Sequence, residues 1–169
     1  ILLIYIDNKT AEKNLINEIK SRGIDSKRVI FANRYERPEY LARYRVADLF
    51  LDTHPYNAGT TASDALKMGL PMLTMIGQSY QARMGASILT SINLPELITN
   101  TPEEYEGLAI ELATNPNKLN AIKEKLKSNL TTAPLFDTKR FTKNIESAYT
   151  QMYERSQKGL EPEHIYVEE

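Results

Sequence analysis

Asn57-Ala58-Gly59-Thr60-Thr61-Ala62-Ser63-Asp64-Ala65 is the stretch on which the reading of this chain turns. It follows an apolar, strand-like run, Ala47 to Leu51, and leads into a short helical pattern ending at Gly69. A strand, a glycine-containing turn and a helix in that order place free backbone N–H groups and two hydroxyls where an anion can sit. The reason is that a helix N-terminus carries unsatisfied donors and the positive end of its dipole. Phosphate is the natural guest, with Asn57, Gly59, Thr60 and Thr61 around it. Asp64 falls about one turn further along, within reach of sugar hydroxyls if the phosphate belongs to a nucleotide. A plainer reading of the same residues makes Gly59 a turn glycine, Thr60 an N-cap and Asp64 a solvated helix residue. A short Gly/Thr turn is less specific than a full Walker or dinucleotide fingerprint.

Outward from this turn the pattern repeats. Ile1 to Ile6 is almost continuously apolar, as expected of a buried parallel strand, and Thr10 to Arg22 carries Ala11, Leu15, Ile16 and Ile19 at helical spacing before Gly23 ends it. Arg28–Ala32 is expected as a strand, Pro38–Arg45 as a helix opened by proline, Asp48–Asp52 and Pro71–Met75 as strands, and Tyr80–Leu89 as a helix. Strands alternating with short helices predict an α/β fold, a Rossmann-like parallel sheet with helices on both faces. In such a sheet ligands bind outside the carboxyl ends of the strands, where the loops Asn33–Arg37, Thr53–Gly59 and Ile76–Ser79 are expected to converge. Beyond Leu94 only helices are expected, with starts at Thr101-Pro102-Glu103-Glu104, Asn115-Pro116 and Asp137. Residues 1–160 read as one domain, and residues 161–169 as a loosely held acidic tail.

The composition narrows the function classes. With 169 residues, 41% hydrophobic and 25% charged, the chain suits one ordinary globular domain. A net charge of −1 and a pI near 6.2 give no general attraction to nucleic acid or an anionic membrane surface, so neither is expected as a partner. The absence of cysteine excludes disulfides, thiolate metal sites and cysteine nucleophiles, and is compatible with the cytoplasm. No apolar run approaches the roughly 18 residues needed to span a bilayer. The chain opens on Ile1 without methionine or a signal-peptide pattern, and is read as the C-terminal piece of a longer protein.

Leu51-Asp52-Thr53-His54-Pro55-Tyr56-Asn57-Ala58-Gly59-Thr60-Thr61, followed by Ala62-Ser63-Asp64-Ala65-Leu66 and Gly69-Leu70-Pro71, resembles the donor-site segment of O-linked N-acetylglucosamine transferases and their SPINDLY-type relatives. The likeness continues through Gly77-Gln78-Ser79-Tyr80-Gln81-Ala82-Arg83-Met84-Gly85 and Pro134-Leu135-Phe136-Asp137-Thr138-Lys139-Arg140, and closes on Gly159-Leu160-Glu161-Pro162-Glu163-His164-Ile165. The matches keep their order and near-constant spacing from about Arg28 to the end of the chain.

The resemblance implies the C-terminal, donor-binding half of a GT-B glycosyltransferase, a cytoplasmic enzyme with tetratricopeptide repeats and an N-terminal catalytic lobe upstream. It implies UDP-GlcNAc, or in the SPINDLY branch GDP-fucose, as donor, protein Ser/Thr hydroxyls as acceptor, and no metal or other cofactor. On that analogy Thr60 and Thr61 contact the diphosphate, Asp64 holds the ribose hydroxyls, and Arg37, where the family often has lysine, belongs to the base-contacting loop. Gly59 stands where the family has a histidine near the pyrophosphate, and Tyr40 where it has one in the helix after the base-contacting loop, the latter leaving the choice of base open. No catalytic residue is assigned within this chain. His54, Tyr56 and Arg83 are further candidates for ligand contact, each with a structural alternative: a solvated loop histidine, a wedge under the loop and an ion-pair arginine. Two other functions stay in view, a nucleotide-sugar 2-epimerase-like enzyme and a non-catalytic Rossmann-like nucleotide-binding or interaction module.

Overall fold

The computed structural model describes residues 1–167, and Glu168 and Glu169 lie outside the described residues. The chain taken as one domain over 1–160 divides into two compact units, Ile1–Asp48 and Leu49–Glu169.

The smaller unit contains β1 (Leu2–Ile4), α1 (Lys9–Ser21), β2 (Val29–Phe31) and α2 (Arg37–Arg43), with β1 and β2 parallel and Leu3 opposite Ile30. Local chemistry sets the bounds of α1. The Asn8 side chain accepts the Ala11 N–H at 2.9 Å, and Gly23 takes the left-handed conformation at φ 72° that lets the Ile24 N–H close back on the Ile19 carbonyl. β1 was expected to be buried, yet Leu2 and Leu3 are exposed, because two strands make too narrow a sheet to cover both faces.

The larger unit contains β3 (Phe50–Leu51), α3 (Thr60–Lys67), β4 (Met72–Met75), α4 (Met84–Ser91), β5 (Ile98–Thr99), α5 (Pro102–Thr114), α6 (Pro116–Asn129) and α7 (Thr138–Gln157). Its sheet is parallel in the order β3-β4-β5, with Leu51 opposite Leu73 and Thr74 opposite Ile98. β5 corrects the expectation of helices alone beyond Leu94: two residues are too short to show a periodicity, and only pairing with β4 makes them a strand. The helix expected over Tyr80–Leu89 begins instead as a 3₁₀ turn, Gln81–Arg83, and becomes α-helical at Met84.

The later helix starts follow their caps. Thr101, Asn115 and Asp137 accept the N–H groups of Glu104, Lys118 and Arg140. The core lies under the sheet and α4 to α6, where Leu66, Met72, Leu89, Leu97, Leu112 and Leu126 are all buried in one cluster. In the segment expected as a loosely held tail, the Arg155 guanidinium bonds the Glu161 carbonyl and the Glu163 carboxylate, and Tyr166 is exposed. Among the described residues no helix is long and apolar enough to cross a membrane.

Candidate functional site

The loop from Thr53 to Gly59 leaves the carboxyl end of β3, as an α/β fold requires of a ligand-binding loop, and Asp52 organises it. Asp52 is buried. Its Oδ1 accepts the N–H groups of Thr53 at 2.9 Å and Ala58 at 2.8 Å, and its Oδ2 accepts the Thr74 hydroxyl at 2.6 Å. The Tyr105 hydroxyl donates to the Asp52 carbonyl at 2.9 Å. Burial raises the Asp52 carboxyl above its ordinary 3.8, against the lowering effect of the Thr74, Ala58 and Thr53 donors and of the His54 charge. A raised native value means that protonation favours the fold: this contribution is fully present below 3.8 and lost as pH rises through the native value. Burial, then the Asp52 charge, pushes the Tyr105 phenol up to about 12, so it remains a donor throughout the neutral range.

Asn57 holds the same loop from inside. It is buried, its Nδ2 donates to the Thr53 carbonyl at 2.7 Å, and its N–H reaches the Gln81 carbonyl at 3.3 Å. Its Oδ1 is buried without a partner. Asn57 thus shapes the loop, whereas Tyr56, 72% exposed, projects outward and does not wedge beneath it. Between the loops at Thr53–Gly59 and Ile76–Ser79, the His54 ring sits with Nδ1 3.4 Å from the Met75 carbonyl oxygen. A Cβ on Gly77 would lie 2.9 Å from His54 Cε1, so glycine leaves the room the ring occupies. Arg83 is exposed and forms no ion pair among the described residues.

At the end of the loop Gly59, not Thr60, is the N-cap of α3, and no side chain caps the helix. Thr60 and Thr61 are exposed in its first turn. Asp64 corrects the solvated alternative: it is 7% exposed, on the buried side of the helix with Ala65 and Leu66. Gly69 at φ 83° ends α3 through the Leu70 N–H to Ala65 carbonyl bond at 2.9 Å.

In the smaller unit, a cleft of about 240 Å³ opens at the carboxyl ends of β1 and β2, lined by residues that include Tyr5, Asn8, Lys9, Asn33 and Arg34. The loop Asn33–Arg37 leads into α2 beside a cluster of rings and guanidinium groups. Arg37 lies over the Tyr40 ring at 6.0 Å, and Arg43 lies 5.7 Å from both the Tyr35 and Tyr40 rings while donating to the Asn33 carbonyl at 2.9 Å. The hydroxyls of Tyr40 and Tyr44 are 2.6 Å apart.

Sequence reasoning missed Asp52, Thr74, Gly85 and Tyr105. The available signal was an acid at the end of an apolar strand, where burial makes a carboxylate costly unless donors meet it. Gly85 is required by close approach: a Cβ there would lie 2.4 Å from Thr74 Oγ1 and 2.6 Å from Asp52 Oδ2. Gly85→Ala is therefore expected to destabilise the fold by about 1–3 kcal/mol, read as a lowered urea midpoint. A midpoint equal to the parent's would show that α4 moves aside without cost.

Among the described residues no group of three or more His, Asp or Glu side chains is placed to hold a metal ion. Residues 1–145 match the sequence profile of Glycosyl transferase family 41. The chain is similar to the "Probable UDP-N-acetylglucosamine--peptide N-acetylglucosaminyltransferase SEC" of Arabidopsis thaliana, 35% identical over 148 residues, 87% of this chain and 15% of that protein. It is also similar to the UDP-N-acetylglucosamine--peptide N-acetylglucosaminyltransferase of Caenorhabditis elegans, 33% identical over 154 residues, 91% of this chain and 13% of that protein. Among solved structures, a mutant of the Thermobaculum terrenum O-GlcNAc transferase matches with a TM-score of 0.83 at 30% identity, over 90% of this chain and 30% of that one. This likeness bears out the fold class, that of the C-terminal half of a GT-B glycosyltransferase. The chain spans less than a sixth of the length of the Arabidopsis and nematode relatives.

Proposed function

The chain belongs to glycosyl transferase family 41, and from that premise we propose that it is the donor-binding half of an enzyme that moves N-acetylglucosamine from UDP-GlcNAc to Ser and Thr hydroxyls of proteins. The observation that carries the reading is the first turn of α3. It leaves the carboxyl end of a parallel sheet, has no side-chain cap, and exposes the Thr60 and Thr61 hydroxyls beside its free N–H groups.

In such a transfer the acceptor oxygen bonds to the anomeric carbon while the bond from that carbon to the β-phosphate oxygen breaks, the electron pair leaves with UDP, and the acceptor hydroxyl's proton is released to water. The negative charge that builds on the β-phosphate is met by the α3 N–H groups and the Thr60 and Thr61 hydroxyls, without a metal ion. Asp64 serves the ribose hydroxyls. The relatives' much greater length supports an upstream catalytic lobe and tetratricopeptide repeats in the whole protein, which the reading places in the cytoplasm.

The test is calorimetric titration of the full-length protein with UDP, GDP and NAD. UDP is expected to bind, and Thr60→Ala and Asp64→Ala are each expected to weaken it. Binding of GDP instead would transfer the reading to GDP-fucose, and UDP affinity unchanged in both variants would overturn the site.

A further inference from the structure

We propose that Asp52 is a positioning residue for the donor diphosphate: its carboxylate fixes Ala58, and through Ala58 the Gly59 cap, so that the first turn of α3 is held aimed at the phosphates. The inference rests on the reading of α3 as the diphosphate site. Ala58 is the residue immediately before the Gly59 N-cap, and its N–H is anchored to Asp52 Oδ1 at 2.8 Å. The Thr53 N–H on the same oxygen, at 2.9 Å, closes the loop into a ring that begins and ends at one carboxylate. The other oxygen is fixed to the sheet by the Thr74 hydroxyl at 2.6 Å, and Thr74 is itself fully buried in β4. Gly85 of α4 packs so closely on both groups that no side chain fits between them.

Three donors therefore converge on Asp52, two amides on one oxygen and a hydroxyl on the other. Only a carboxylate accepts at both oxygens, and an amide would offer a donor in place of one of them. An apolar residue of similar size would leave the Ala58 N–H and the Thr74 hydroxyl buried without their acceptor. No side chain caps α3, so the orientation of its start depends on this anchor.

The experiment uses the full-length enzyme, with UDP and uridine as the titrants and thermal melting alongside. Asp52→Ala is expected to raise the Kd for UDP about 10- to 100-fold and to leave that for uridine unchanged, because only the diphosphate end is served. Thr74→Val, which removes one donor, is expected to raise the UDP Kd about 5-fold in the same selective way, and it decides the matter should Asp52→Ala fail to fold. A merely structural role would weaken both ligands alike in step with the folded fraction, and that result, or an unchanged UDP affinity, overturns the proposal. Thr60→Ala separates the two readings. UDP affinity lost in Thr60→Ala but kept in Asp52→Ala and Thr74→Val rejects the positioning role alone. Affinity kept in all three rejects the diphosphate site and the positioning role with it.

Discussion

Thr60→Ala in the full-length enzyme is expected to slow sugar transfer about 100- to 1,000-fold, the loss typical of removing one preorganised donor from a developing anion. The argument starts from α3. With no side chain capping it, the helix presents its first N–H groups outward, and the Thr60 and Thr61 hydroxyls stand exposed beside them. Donors held in place before the reaction need not reorient as charge builds on the leaving phosphate, so each acts more strongly there than in the ground state. Because Thr60 is exposed, its truncation is expected to move the melting temperature by no more than about 2 °C. The measurement is kcat with the donor saturating, beside a thermal melt. Turnover within about threefold of the parent would remove Thr60 from the chemistry.

The largest stability effect is expected at Leu89. Its side chain is wholly buried in α4, in one cluster with Leu66, Met72, Leu97, Leu112 and Leu126, so it binds the helix to the sheet and to the later helices. Leu89→Ala removes buried apolar surface and leaves a cavity that close-packed neighbours fill only in part, at a cost of about 2–5 kcal/mol. Against a total stability of roughly 5–15 kcal/mol for a globular protein, that is a large fraction. Urea unfolding is expected to show a lower midpoint with an unchanged slope. A cost below about 1 kcal/mol would mean that the cluster collapses around the deletion without loss.

These two residues mark different degrees of legibility. Thr60 is visible in the sequence because a glycine, two threonines and a helical pattern act on neighbouring backbone groups. Leu89 is visible only as one apolar position in a helical run, and its weight comes from contacts made after folding. Arg37 and Tyr40 stand out in the sequence through the family resemblance, Arg37 in the base-contacting loop and Tyr40 in the helix that follows it. The place of Arg43 against the Tyr35 and Tyr40 rings and on the Asn33 carbonyl is not legible there, because it depends on the loop and α2 having folded together. Asn57 reads in the sequence as a phosphate neighbour, and its hold on the Thr53 carbonyl from within the loop shows only in the fold.

By itself the sequence determined the alternation of strands and helices, the helix starts at Thr101, Asn115 and Asp137, the stops at Gly23 and Gly69, and the Gly-Thr-Thr turn. Each of these depends on dihedral preferences and hydrogen bonds that reach no further than about four residues along the chain. Tertiary structure alone decided that Ile98–Thr99 is a strand, that the chain divides after Asp48, and that Asp52 anchors the loop Thr53–Gly59 to the sheet. Asp52 meets Thr74 across 22 residues of sequence and Tyr105 across 53, and partners that far apart are brought together only when β3, β4 and α5 have packed.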